Sequence, residues 1–138
     1  MKKFLIMMSA LVAMIGVAKA EEIVVTVDIS DQIMVIQTPY ETFAWNVSTA
    51  RKGYHTPRGM FQPYLLKKMH YSSKYDNAPM PNSIFFHGGY AIHATEDLKR
   101  LGRPASHGCI RLHPQNAKWL YRLVNEYGME NTFIVVQD

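Results

Sequence analysis

The sequence contains a single cysteine, Cys109, so no disulfide can form within the chain. Acidic residues are missing from two long stretches, Thr42 to Tyr75 and Lys99 to Arg122. After residue 20 no apolar run approaches the roughly 18 residues that cross a bilayer, which excludes a polytopic membrane protein. Internal repeats, low-complexity tracts and inter-domain linkers are also missing. The 138 residues therefore point to one globular domain, long enough to bury a core without a staple.

What is present begins with an export signal. Lys2 and Lys3 form a positive start, Phe4 to Val17 is almost uninterrupted apolar sequence, and Ala18-Lys19-Ala20 matches a small-x-small cleavage pattern before Glu21-Glu22. Residues 1–20 are expected to be a signal peptide and 21–138 the mature domain, periplasmic or otherwise exported to the cell envelope. The alternative, an uncleaved anchor helix, is disfavoured by the short apolar region, so no stable membrane insertion is expected after cleavage. The full chain has 15 Lys and Arg against 11 Asp and Glu, but losing Lys2, Lys3 and Lys19 leaves an excess of one. The acid-free stretches, which carry Arg51, Lys52, Arg58, Lys67, Lys68 and Lys74, can still make one face positive, either as plain solvated surface or as an attraction for an anionic polymer such as cell wall. Nucleic acid is not an expected partner, because export removes the protein from it and no binding motif occurs.

The mature sequence is period-two first and helical only late. Ile23 to Ile29 and Ile33 to Ile36, parted by Ser30-Asp31-Gln32, read as a β-hairpin. Phe43, Trp45 and Val47 share one face of a further strand, and Gly59 to Leu65 keeps a β-like composition after the Thr56-Pro57 turn. Residues 67–82, polar and holding Asn77, Pro79, Pro81 and Asn82, read as a long loop before Ile84-Phe85-Phe86. One helix is expected from Pro114, with Ala117, Leu120, Tyr121, Val124 and Tyr127 at helical spacing and Gly128 as its stop. Thr132 to Val136 closes the chain as a strand. The fold class is mainly β with one packed α-helix near the C-terminus.

Residues 87–113 concentrate the chemistry: His87, His93, His107, Cys109, Arg111 and His113 all fall there. Polar, small and cationic neighbours surround Cys109 in Ser106-His107-Gly108-Cys109-Ile110-Arg111, which is not the packing of an inert core thiol. A nearby imidazole can take the thiol proton, and Gly108 lets the backbone turn and present N–H groups to an oxyanion. Three readings follow: acyl transfer through a Cys thioester, zinc binding by His107, Cys109 and His87 or His93, and a non-catalytic wall- or partner-binding module using Tyr90, Trp119 and Tyr121. The spacing fits no familiar zinc pattern, so no metal is expected.

His93-Ala94-Thr95, with residues 94–105 intervening before Ser106-His107-Gly108-Cys109-Ile110-Arg111-Leu112, resembles the signature of the L,D-transpeptidase catalytic domain (YkuD) family. Ser48-Thr49, Thr56-Pro57, Gly59, Phe61, Met80-Pro81, Gly89 to Ile92 and Leu101-Gly102 extend the resemblance over nearly all of the mature chain. It implies a β-sandwich-like domain with Cys109 as nucleophile and His93 as base, held by a backbone carbonyl. It further implies the Gly108 and Cys109 amides as oxyanion hole, Arg111 near the substrate, and Ser106 and His107 lining the pocket. No cofactor is implied. The implied substrate is the peptidoglycan tetrapeptide stem, with a diaminopimelate amine, a lipoprotein lysine or water as acceptor, and acylation by carbapenem-type β-lactams as a corollary. One departure is Ala94, where the family often has Gly. His87 is expected to be an ordinary loop histidine.

Overall fold

The computed structural model describes Gly16 and residues 20–138, so the expected signal peptide lies almost wholly outside the described residues. Strands β1 (Ile23–Asp28) and β2 (Ile33–Gln37) form the expected antiparallel hairpin, with Val24 opposite Gln37 and Asp28 opposite Ile33. Alternation explains it: Ile23, Val25 and Val27 point inward and are fully buried. At the turn Asp28 Oδ1 accepts from the Asp31 N–H at 2.9 Å, and Gln32 takes a left-handed φ of 54°. Strand β3 (Thr42–Asn46) adds to β2. Gly59 to Leu65 divides into β4 (Gly59–Phe61) and the start of β5 (Leu65–Ser72).

Strands β6 (Ala78–His87), β7 (Tyr90–Ala94), β8 (Ile110–Leu112) and β9 (Thr132–Gln137) complete two sheets. One runs β3-β2-β1-β9-β4, with β1 and β9 parallel; the other runs β5-β6-β7-β8, with β7 and β8 parallel. Helix α1 (Pro114–Tyr127) packs on β6 and β7. Its ends are chemically marked: His113 Nδ1 accepts from the Gln115 N–H at 3.1 Å, Pro114 opens the first turn, and Gly128 at φ 94° closes the last. Ala117, Leu120, Leu123 and Val124 bury one helix face in a single core shared with Val25, Ile36 and Ile134 of the first sheet and Ile84, Ile92 and Ile110 of the second. Among the described residues no helix is long and apolar enough to cross a membrane.

Residues 67–82 are not a loop. They form most of an antiparallel ribbon of β5 and β6, paired from Leu65 opposite Phe85 to Ser72 opposite Ala78. Its tip turns through Asp76 and Asn77, both with positive φ, and the Ala78 N–H donates to the Tyr75 carbonyl at 3.0 Å, the geometry of a hairpin turn that favours those residue types. Pro79 and Pro81 are tolerated because β7 pairs with β6 only from Ile84 onward, which leaves one edge of the ribbon with no ladder needing their missing N–H groups.

Leu120 is fully buried in the shared core. Leu120→Ala is expected to cost about 3 kcal/mol of folding stability, measured by urea denaturation.

Candidate active site

The parallel pairing of β7 with β8 sets His93 beside Arg111 and Ile92 beside Ile110. Side chains alternate across a strand, so Ile92, Ala94, Ile110 and Leu112 enter the main core while Ala91, His93, Cys109 and Arg111 point to the other face. There Met80, Phe85 and Ala91 form a small apolar floor against which Cys109 packs. A cavity of about 900 Å³ opens over this floor, lined by His93, Ser106, His107, Cys109 and Arg111 among others. Five of the six site residues expected from sequence therefore meet in one cavity. The sixth, Gly108, lies in the turn beneath it.

That turn is held by polar contacts at every step. Ser106, 1% exposed, accepts from the Gly108 N–H at 3.0 Å through Oγ, and the same hydroxyl donates to the Cys109 carbonyl. Thr56 Oγ1 donates to the Gly108 carbonyl at 2.8 Å and accepts from the Ala50 N–H at 3.0 Å. Ser48 exchanges two backbone bonds with Arg111, and the Thr49 carbonyl accepts from the N–H groups of Ala105 and Ser106. Thr49 is in turn clamped by buried Gln32, whose Oε1 accepts from the Thr49 N–H at 2.9 Å and whose Nε2 donates to Thr49 Oγ1 at 2.6 Å. Gly108 sits at φ 136°, and a methyl there would strike the Tyr90 ring and lie 2.7 Å from the His55 carbonyl. The position is open only to glycine.

His93 is 7% exposed, and its Nδ1 lies 2.7 Å from the Ala94 carbonyl. A carbonyl only accepts, so Nδ1 carries the proton and Nε2 is left with its lone pair free. Burial pulls the His93 pKa down to about 4, against a smaller opposing effect of that hydrogen bond, with Arg111 and His70 adding to the depression. Burial pushes the Cys109 thiol up, opposed by the Ala91 backbone and by Arg111. The resting pair is neutral imidazole and neutral thiol. The methyl of Ala94 is buried in the core, and it is the residue's carbonyl that serves His93.

The β5–β6 ribbon supplies residues that the sequence did not mark. Tyr75 at its tip stacks on His107, ring centroids 4.1 Å apart and 21° from parallel, while from segment 48–56 the Tyr54 ring centroid lies 4.7 Å from that of His107 and Tyr54 carries Arg51 5.0 Å above its ring. His70 packs edge-on against Phe85 at 5.0 Å and lines the cavity. A turn signal at Asp76-Asn77 was the available clue to this ribbon. Other expectations resolve into packing. His87 lies against Phe61 and Tyr90 away from the cavity lining, His113 caps α1, and Trp119 joins Phe43 and Trp45 in an aromatic cluster with centroids 4.5 to 6.1 Å apart. Among the described residues no three His, Cys, Asp or Glu side chains converge as metal ligands.

Gly108→Ala is expected to lower stability by about 2 kcal/mol or more through backbone strain and the collision with Tyr90, read by thermal denaturation. A second outcome follows from His93. Its folded pKa of about 4 lies below the ordinary 6.5, so between those values the unfolded chain binds a proton that the folded chain refuses. Stability contributed here is intact above pH 6.5 and falls as pH drops toward 4, by about 3 kcal/mol in full. Urea denaturation at pH 7 and pH 4.5 should show a larger loss for the native protein than for His93→Gln; equal losses would refute the assignment.

The L,D-transpeptidase catalytic domain (YkuD) family model matches residues 22–136. A comparison with curated proteins finds no match. Among solved structures the chain is similar to an L,D-transpeptidase from Mycobacterium smegmatis, with 22% identity, TM-score 0.76, and coverage of 86% of this chain and 59% of that one. It is also similar to residues 123–326 of the L,D-transpeptidase from Xylanimonas cellulosilytica, with 27% identity, TM-score 0.70, and coverage of 86% and 62%. L,D-transpeptidase 3 from Mycobacterium tuberculosis, in complex with a faropenem-derived adduct, shares 20% identity at TM-score 0.72, with coverage of 86% and 61%. The chain thus spans less than two thirds of the length of each. A family match over nearly all of the described residues, joined to the shared architecture, places this chain in the L,D-transpeptidase catalytic domain (YkuD) family.

Proposed function

We propose that this protein is an exported cysteine acyltransferase acting on the tetrapeptide stems of peptidoglycan. The observation that carries the reading is the parallel register of β7 and β8, which puts His93, Arg111 and the Cys109 approach on one face of one cavity. Cys109 Sγ attacks the carbonyl between meso-diaminopimelate and D-Ala while His93 Nε2 takes the thiol proton. The amide C–N bond breaks, the proton passes to the departing D-Ala nitrogen, and a thioester remains on Cys109. An acceptor amine in its uncharged form then attacks the thioester, the C–S bond breaks, and the amine proton passes through His93 to the departing Cys109 sulfur, which restores the thiol. Of the two amides the family resemblance assigns to the oxyanion, that of Gly108 already donates to Ser106 Oγ, so we assign the Cys109 N–H as the first donor.

The electrostatics support a neutral starting pair. A thiol pushed up by burial and an imidazole pulled down transfer the proton only as the sulfur engages the carbonyl, which protects an unpaired thiol from oxidants in the envelope. Cationic Arg111 and Lys74 line the cavity and suit the carboxylates of the stem. Residues 1–20 serve as export signal in this reading, and carbapenem-type β-lactams, as acyl donors, would acylate Cys109. A silent wall-binding module is disfavoured because two of its three proposed contacts, Trp119 and Tyr121, pack against the core, while the third, Tyr90, lines the cavity itself.

Incubation of residues 21–138 with disaccharide tetrapeptides should give products that have lost D-Ala, detected by mass spectrometry. Cys109→Ala should give none while keeping its thermal stability. A folded Cys109→Ala protein with full activity would sink the proposal.

A further inference from the structure

Five side chains with a formal charge line the cavity: Lys74, Glu96, Asp97, Arg100 and Arg111. Two of them cancel, since Asp97 Oδ2 lies 2.6 Å from Arg100 Nε. Lys74 and Arg111 remain as cations, carried by the β5–β6 ribbon and by β8. Of the two carboxylates in the lining, Glu96 is the one that has no ion-pair partner among the described residues.

Its place is fixed by the backbone. Two residues beyond the end of β7, it sits in a tight turn where the Thr95 N–H donates to the Leu112 carbonyl at 2.9 Å, the Asp97 N–H to Thr95 Oγ1 at 3.1 Å, and the Leu98 N–H to the Glu96 carbonyl at 2.9 Å. Glu96 is exposed at the cavity rim, three residues along the chain from His93. The carboxylate that acts on Arg111 is that of Asp97, so Glu96 is not spent on the stem-binding cation.

We infer that Glu96 selects the acceptor, drawing a cationic primary amine into the cavity in preference to water. This deepens the proposed function and rests on it. The second half-reaction needs a nucleophile that arrives near His93 Nε2 and gives up a proton there. A free alkyl amine is an ammonium in neutral water and loses one proton to solvent before its nitrogen can attack, the second passing to His93 after attack; an unpaired carboxylate at that rim raises its local concentration, while uncharged water gains nothing. Of the two unpaired cations in the lining, Arg111 is the cross-strand neighbour of His93 and Lys74 sits near the tip of the β5–β6 ribbon, so Glu96 is the lining's one uncompensated negative charge and the group that offers the amine an attraction.

The test measures how the thioester partitions. Native protein, Glu96→Gln, Glu96→Lys and Glu96→Asp are given a disaccharide tetrapeptide donor and a diaminopimelate-containing tripeptide acceptor, and crosslinked and hydrolysed products are counted by mass spectrometry. Acyl-enzyme formation with donor alone is followed by intact mass. Glu96→Gln should raise the acceptor KM about three- to fivefold and shift products toward hydrolysis, Glu96→Lys more so, with the acylation half-reaction carrying little of the loss; Glu96→Asp should restore much of the preference. Added salt should erode the amine preference of the native protein and not that of Glu96→Gln. An unchanged acceptor KM and partition in Glu96→Gln overturns the inference while leaving the thioester reading intact. Absence of any acyl-enzyme in the native protein overturns both.

Discussion

The Ser106–Cys109 turn buries backbone groups that need hydrogen-bond partners, and much of the rest of the molecule is arranged to supply them. An unpaired buried amide or carbonyl costs about 1–3 kcal/mol, so a turn of this kind stands only inside a built frame. Segment 48–56 is that frame: Ser48 fixes Arg111, the Thr49 carbonyl takes two amides, and Thr56 holds the Gly108 carbonyl. Gln32 fixes Thr49 from the first hairpin. The first sheet thereby reaches a site built on the second, and no buried side-chain polar atom among the described residues lacks a partner.

The same burial sets the chemistry. His93 inside the domain loses the hydration that would stabilise an imidazolium, and the Ala94 carbonyl fixes which ring nitrogen keeps its proton. A carboxylate in that position would stabilise the charged ring; a carbonyl orients it with a weaker pull toward protonation. The His93 ring is therefore held in one tautomer and is weakly basic at rest. In the proposed reaction, proton transfer is then driven by charge developing on the substrate, where Arg111 and the backbone of the turn can answer it.

The sequence made the first hairpin and α1 legible because both leave periodic traces. Ile23, Val25 and Val27 alternate, and Pro114, Leu120, Val124 and Gly128 mark a capped amphipathic helix. Cys109, His93 and Arg111 were legible as chemistry and through the family resemblance. The β5–β6 ribbon was not, because it projects beyond β7 and pairs on one edge only; of residues 67–82 Met80 alone is buried, too little to leave an alternating apolar trace. Gln32 and Thr56 were read only as turn residues, and their hold on the site was not legible for another reason. Each is a single polar residue whose partners lie 17 or 52 positions away, and one residue has no period.

The Cys109 thiol, the proposed nucleophile, and the core lie on two faces of the same strands. A slip of one residue between β7 and β8 would turn Ile110 and Leu112, both fully buried, toward the cavity and carry Cys109 and Arg111 into the core. Exposing two such side chains would cost about 3–6 kcal/mol, and burying a guanidinium among aliphatic groups adds to that cost. The register is therefore enforced by apolar residues that touch no substrate. Cys109 faces the cavity because its neighbour Ile110 must be buried, and the hydrophobic core thereby aims the thiol.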